Sequence, residues 1–327
     1  MSRYVIKRIL LIIPVVLLVA VVIFTIMYFC PGDPAVLILG SGASAEDLNI
    51  LRESMGLNDP FLVQLGNYLI DVFIHFDLGN SYTTGIPVVT ELLERFSKTL
   101  VLALSAIIIE VVVGIPLGMM AARHRGKWLD RLCMVIALVG ISVPAFWLGL
   151  QLLLVFSLNL GWLPAYGVSS WQGWILPIFV NSLRGIATMA RQARSSMLEV
   201  IHSDYVVTAR AKGLTERKIM MSYALPNALI PLIQTMGSSF GQALGGTVII
   251  ENVFSIAGIG QYIVKGIVNR DYAVIRSTVI VLSIAFSLVM LLVDLAFGFV
   301  DPRIKAQYAG SGKRLRARGK GGRKAYV

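Results

Sequence analysis

The chain has 327 residues, of which 56% are hydrophobic and only 14% charged, with a formal net charge of +11. Soluble domains carry about 25% charged residues, so this chain has too little charged surface to cover its apolar mass in water. The balance excludes a disordered chain, a disulfide scaffold and an ordinary water-soluble enzyme, and makes lipid the expected solvent.

A bilayer core of about 30 Å takes about 20 helical residues. Six stretches of about that length or more carry at most one charge each: 9–29, 99–122, 132–161, 174–190, 225–250 and 277–300. They are apolar all round, whereas strands of a membrane barrel alternate with period two. The expected fold is therefore an all-α integral membrane protein with six transmembrane helices. The first stretch is too long for a signal-peptide core, and Pro31-Gly32-Asp33-Pro34 follows it instead of a small-residue cleavage site. It is read as a retained span.

Lys and Arg set the orientation. Arg3, Lys7 and Arg8 precede the first span. Arg123, Arg125, Lys127 and Arg131 separate the second and third, and Arg191, Arg194, Arg210, Lys212, Arg217 and Lys218 the fourth and fifth. A basic tail, 303–327, follows the sixth. All of these fall on one side. The other side holds only Arg52, Arg95, Lys98, Lys265, Arg270 and Arg276. Both termini are expected in the cytoplasm, and the positive charge needs no nucleic acid. Gly310-Ser311-Gly312-Lys313 in the tail lacks the first glycine and the Ser/Thr of a phosphate loop.

The chain thus divides into 1–30, an extracytoplasmic segment 31–98, a five-helix core 99–302 and the tail. The 31–98 segment carries nine acids against three bases. Ser44-Ala45-Glu46-Asp47 is a capping box opening a helix that Gly56 stops. Asp59 is expected to cap a second helix with Pro60 at its first position, running to about His75. A third is expected near Pro87, continuing into the second span.

Three charges fall inside spans: Glu110, Arg184 and Asp294. Such groups are costly in lipid and mark either pairing or transport. Pro144 should kink the third span. In the fifth span Gly237, Gly241 and Gly245 recur every four residues, the spacing of a close helix contact. Gln234, Ser238 and Gln242 recur on an adjoining face, as pore lining or as hydrogen-bonding glue. Three scattered histidines (His75, His124, His202) and two cysteines, Cys30 and Cys133, at opposite ends of spans give no metal or catalytic constellation.

Between the fourth and fifth spans, 196–224 reads as two short helices broken at Gly213, with Thr215 capping the second. A helix-turn-helix on the inner membrane face suits docking into a groove of a soluble partner. Gly213, nine residues and then Tyr223-Ala224-Leu225-Pro226 match the spacing of the EAA loop of ABC-importer permeases. Val207 and Thr208 stand at the Glu and first Ala positions, Ala209 at the second, and Tyr223 at the Ile position. Thr208-Ala-Arg-Ala-Lys-Gly213 resembles the dipeptide/oligopeptide/nickel subfamily. So do Pro31-Gly-Asp-Pro34, Met55-Gly-Leu-Asn-Asp-Pro60, Asp77-Leu-Gly-Asn-Ser81, Ser142-Val-Pro-Ala-Phe-Trp-Leu-Gly149, Gly245-Gly-Thr-Val-Ile-Ile-Glu-Asn-Val-Phe254 and Asp301-Pro-Arg303.

The resemblance, to the B-type permease subunit, covers about residues 1–305 and implies half of a peptide pathway in a bacterial plasma membrane. The implied partners are a homologous C-type permease, two cytoplasmic ATPase subunits and an external substrate-binding protein. ATP and magnesium would sit on the ATPases, with no cofactor on this chain. Tyr205, Ala209, Lys212, Gly213, Leu225 and Pro226 would couple to the ATPase. Nickel or another small solute is the alternative cargo. A stand-alone secondary carrier is the competing class, which inverted repeats would favour.

Overall fold

The computed structural model describes residues 2–40 and 42–300. The tail 303–327 and Asp301-Pro-Arg303 lie outside the described residues. Thirteen α-helices occur among the described residues, in the order α1 (Ser2–Phe29), α2 (Pro34–Leu39), α3 (Ala45–Ser54), α4 (Phe61–Ile70), α5 (Val88–Arg123), α6 (Trp128–Ser142), α7 (Ala145–Leu152), α8 (Ile175–Ile201), α9 (Asp204–Ala211), α10 (Glu216–Ile219), α11 (Leu225–Val253), α12 (Ile259–Val268) and α13 (Tyr272–Val300).

α5, α8 and α11 form the centre, with α13 and α1 stacked outside α11 and α5. The packing is made by small residues. A Cβ added to Gly118 would stand 2.4 Å from the Ala190 carbonyl oxygen on α8, and one on Gly114 would stand 2.7 Å from the Met189 Cβ. Ala103, Ala106, Ala121 and Ala122 continue the buried stripe of α5. Lipid gives helices no hydrophobic reason to associate, so close backbone approach supplies the contact.

Among the described residues three helices are long and apolar enough to cross a bilayer, α1 from Arg8, α5, and α13 as far as Leu295, and a fourth crossing is made if the bent α6–α7 pair is one span. α8 and α11, with 27 and 29 residues, have the length but carry polar faces. The third expected span is not one rod. α6 and the α7 arm that ends at Asn159 meet at 95°. Pro144 is the N-cap of α7, extended at ψ 130. The proline ring bars helical geometry at the residue before it, so a kink becomes a break. With 15 residues, α6 spans only about 22 Å, short of the bilayer core.

The 31–98 segment largely follows the expected caps. Ser44 Oγ accepts the Asp47 N–H at 3.1 Å and donates to Asp47 Oδ2 at 2.6 Å. Gly56, at φ +65, follows the end of α3. The start of α4 differs: Pro60, not Asp59, is its N-cap, with no side-chain cap. Asp59 instead lends its carbonyl to the Gln64 amide at 2.8 Å. A π turn extends α4 to His75, and α5 runs unbroken from Val88 through the second span. Asp33 caps α2 through the Ala35 N–H and takes two hydrogen bonds from Arg52 of α3.

Gly118→Val should lower stability by about 1–3 kcal/mol through overpacking. Thermal melting of the purified assembly should show it, whereas Gly66→Ala, with nothing within 4 Å of the added carbon, should leave the melting temperature unchanged or raised.

Candidate functional site

The loop after α8 folds as the residues suggested. Ser203 is the N-cap of α9, its hydroxyl turned to the Val200 carbonyl, Asp204 faces the N-terminal dipole, and Lys212 ends the helix. Gly213 follows at φ +74 and donates its N–H to the Arg210 carbonyl at 2.9 Å. Nothing lies within 4 Å of a Cβ built there, so the backbone angle, not space, requires glycine. Thr215 is the N-cap of α10, though its side chain makes no capping bond.

One face of this pair is its own small core: Val206, Ala209 and Ile219 are buried, with Val200 and Leu214 against them. Ala209 therefore does not offer a surface to a partner, contrary to expectation. It is 3% exposed, three residues from Val206 on the inward stripe, and holds α9 against α10. Tyr205, Val207 and Lys212 occupy the exposed side. Arg210 Nε donates to Glu216 Oε1 at 2.8 Å across the turn. That bond, with the guanidinium charge, holds the Glu216 carboxyl below its ordinary value of 4.5.

α10 does not stop before the fifth span. A π turn, Met220–Ala224, joins it to α11 with helical dihedrals on both sides. Pro226 has no N–H to give the carbonyl four residues back, and its ring crowds that carbonyl. The wide turn accommodates both defects. Leu225 and Pro226 thus shape a junction inside one continuous helical run from residue 216 to 253, which also holds Pro231.

Gln234, Ser238 and Gln242 form an exposed stripe along α11. The Ser238 hydroxyl donates to the Thr235 carbonyl of its own helix at 2.9 Å. The glycine row beside the stripe divides. Added carbons on Gly237 and Gly241 would meet Val293 and Phe286 of α13, but one on Gly245 would meet nothing within 4 Å. Four residues overshoot a 3.6-residue turn by about 40°, which carries Gly245 off the contact.

The three intramembrane charges are not brought together. Glu110 is 2% exposed, wedged over Gly185 of α8 beside the Ser239 hydroxyl, with Oε2 lacking a hydrogen-bond partner among the described residues. Arg184 is exposed on α8. Asp294 meets Arg8 of α1 at 2.9 Å.

Other buried acids organise the two ends of the core. Glu251 is fully buried, accepting from the Thr99 hydroxyl at 2.6 Å and the Gln261 N–H at 2.9 Å. Asp271 accepts from the Ser81 hydroxyl at 2.6 Å. Asp130 takes two bonds from Arg194, at 2.6 and 2.8 Å, tying α6 to α8. Glu251 follows directly on an apolar run and precedes Gly258 and Gly260, which leave room for its carboxylate.

A family profile described as the binding-protein-dependent transport system inner membrane component matches residues 114–306. The N-terminal profile of the same transport systems matches residues 1–103. The chain belongs to this family. It is a multi-pass inner-membrane permease of the ABC-importer class, not an enzyme. It is 41% identical over 305 residues to the glutathione transport system permease protein GsiC of Salmonella typhimurium, covering 93% of this chain and 99% of that one. It is also 41% identical over 313 residues to a Brucella abortus protein named for a peptide transport system permease, with the same coverage. The fold is similar to that of an inward-facing MetNI methionine ABC transporter, with a TM-score of 0.56 at 21% identity over 64% of this chain and 96% of that one.

The Arg210–Glu216 bond of this permease should order the turn only while Glu216 is ionised. Because its pKa is lowered on folding, the stabilisation is present above about pH 4.5 and is lost as pH falls through the lowered value. A spin label at a Lys212→Cys site should gain mobility over that acid range, and Glu216→Gln should be mobile at every pH.

Proposed function

We propose that this permease forms half of the translocation pathway of an ATP-driven peptide importer. A homologous permease supplies the other half, two cytoplasmic ATPase subunits bind beneath, and an external binding protein delivers cargo. ATP and magnesium are held by the ATPases, and no cofactor by this chain. Six spans cross the inner membrane, the third broken at Pro144 and shared between α6 and the α7 arm, with both termini cytoplasmic, as the distribution of Lys and Arg supports. Peptide cargo rests on the names of the relatives; nickel or another small solute would use the same machinery.

The observation that carries this reading is the continuous helical run from 216 to 253. Its inner end adjoins the Gly213 turn with Tyr205 and Lys212 exposed, and its body carries Gln234, Ser238 and Gln242. At 1.5 Å per residue this helical run has a contour of about 57 Å, with Pro231 just before the stripe, so a displacement of the loop reaches the stripe through one unbroken helix. ATP drives the change because ATPase closure favours one pore state over the other through this contact. Tyr205, Lys212 and Gly213 meet the ATPase, while Ala209, Leu225 and Pro226 set the shape they present.

Gly213→Pro removes the N–H given to Arg210, and Gly213→Glu forces a side chain to φ +74. Both variants should assemble with the ATPases in a pull-down yet lose ATP-driven peptide uptake to background. Normal uptake by an assembled variant would refute the coupling role. Single cysteines at Gln234, Ser238 and Gln242 should react with an aqueous thiol reagent at rates that change about tenfold or more between nucleotide-free and ATP-trapped states. Equal reactivity in both states assigns the stripe to packing.

A further inference from the structure

A cavity of about 280 Å³ opens on the side carrying residues 31–98, between the end of α1, the α3–α4 connection and the start of α13. Arg276 of α13 stands in its wall. Its guanidinium carbon lies 5.0 Å from the Tyr68 ring centre and 5.6 Å from that of Phe24, an aromatic seat that fixes the cation. Nε donates to the Tyr272 carbonyl at 3.3 Å and Nη2 to the Tyr82 hydroxyl at 3.4 Å. Arginine has five N–H donors in a planar fork, so among the described residues the Nη1 edge is left over.

The acids nearby are engaged elsewhere. Asp33 takes two bonds from Arg52, Asp271 is held by Ser81 and Thr83, Asp71 by His75, and Asp77 by the Gly79 N–H. Among the described residues, no carboxylate comes within ion-pair distance of Arg276. Asp33 and Arg52 cancel within the lining, which leaves one positive charge that does not titrate. Tyr82 and Asn58 add neutral donors, while the Tyr272 hydroxyl is turned to the Cys30 carbonyl, and Phe24 and Tyr28 form an aromatic wall.

We propose that this cavity binds a single oxyanion, a carboxylate or a phosphate, held by the free edge of Arg276 with its apolar stem against Phe24 and Tyr28. The group comes either from a soluble carboxylate or from the head group of a phospholipid beside α1. The site stands apart from the Gly213 turn and the α11 stripe, and does not rest on the transport reading.

Cys30 is a free thiol in the same lining and reports on it directly. The purified transporter, carrying Cys133→Ser, is placed in phosphatidylcholine nanodiscs. An anionic methanethiosulfonate should modify Cys30 about fivefold faster than its cationic counterpart, as a local positive potential dictates. Arg276→Gln should erase the preference and Arg276→Lys should keep its direction. With neutral N-ethylmaleimide, slowing by 3-phenylpropionate identifies a soluble carboxylate. Slowing only when phosphatidylglycerol replaces phosphatidylcholine identifies the phosphate of an anionic lipid, whose charge no choline offsets. Equal rates for the two charged reagents in the transporter with Arg276 intact, or no protection by either probe, overturns the proposal.

Discussion

The close approach of α5 and α8 is the constraint on which the other contacts depend. At Gly114 and Gly118 the two backbones come so near that a methyl group would strike the opposite main chain or Cβ. In water such a pair would be one contact among many. In lipid, where apolar side chains are equally content against acyl chains, the gain in dispersion and main-chain proximity sets which helices pair. α11 then docks on α8 and α5, and α13 on α11, with Gly237 and Gly241 repeating the device against Phe286 and Val293. Glu110 sits within this seam over Gly185, so a group expensive in lipid is housed only because a side chain is absent opposite it.

Polar groups at the two ends keep this stack in register. Asp130 and Arg194 clamp α6 to α8 with a two-bond pair on the loop side. At the opposite end, Glu251 and Asp271 each collect a hydroxyl donor from a segment remote in sequence and an amide donor beside it, from Gln261 and Thr83 respectively. A buried carboxylate is tolerated when its oxygens are satisfied, and it then fixes geometry more narrowly than apolar packing does. The core between the clamps is small and smooth, and the clamps hold its ends.

Much of this was legible in the residues. The Ser44 cap, the stop at Gly56, the break at Gly213 and the run of α5 from Val88 are local events set by backbone chemistry, and local chemistry is what a sequence states directly. Tertiary effects were harder to read. Pro144 predicted a kink, but the right angle between α6 and α7 depends on what α7 packs against, namely Phe254 and its neighbours. Ala209 looked like a contact residue until its register with Val206 and Ile219 put it inside. Gly245 shares a spacing with Gly237 and Gly241 but not a neighbour, because a four-residue period drifts around the helix. The roles of Glu251 and Asp271 depend on partners over 150 residues away, which no window of sequence shows.

The π turn at Met220–Ala224 has one more implication. A wide turn holds one residue more than the surrounding spiral needs, so it acts as a phase shifter between two lengths of the same shaft. The angular relation between α10, on which α9 with its Tyr205 packs, and the stripe at Gln234 is set by that surplus residue. Related shafts lacking it would point the stripe about a quarter-turn away for the same seating of the loop. One inserted residue thus fixes the gearing between the two surfaces, independently of the identity of any side chain on either.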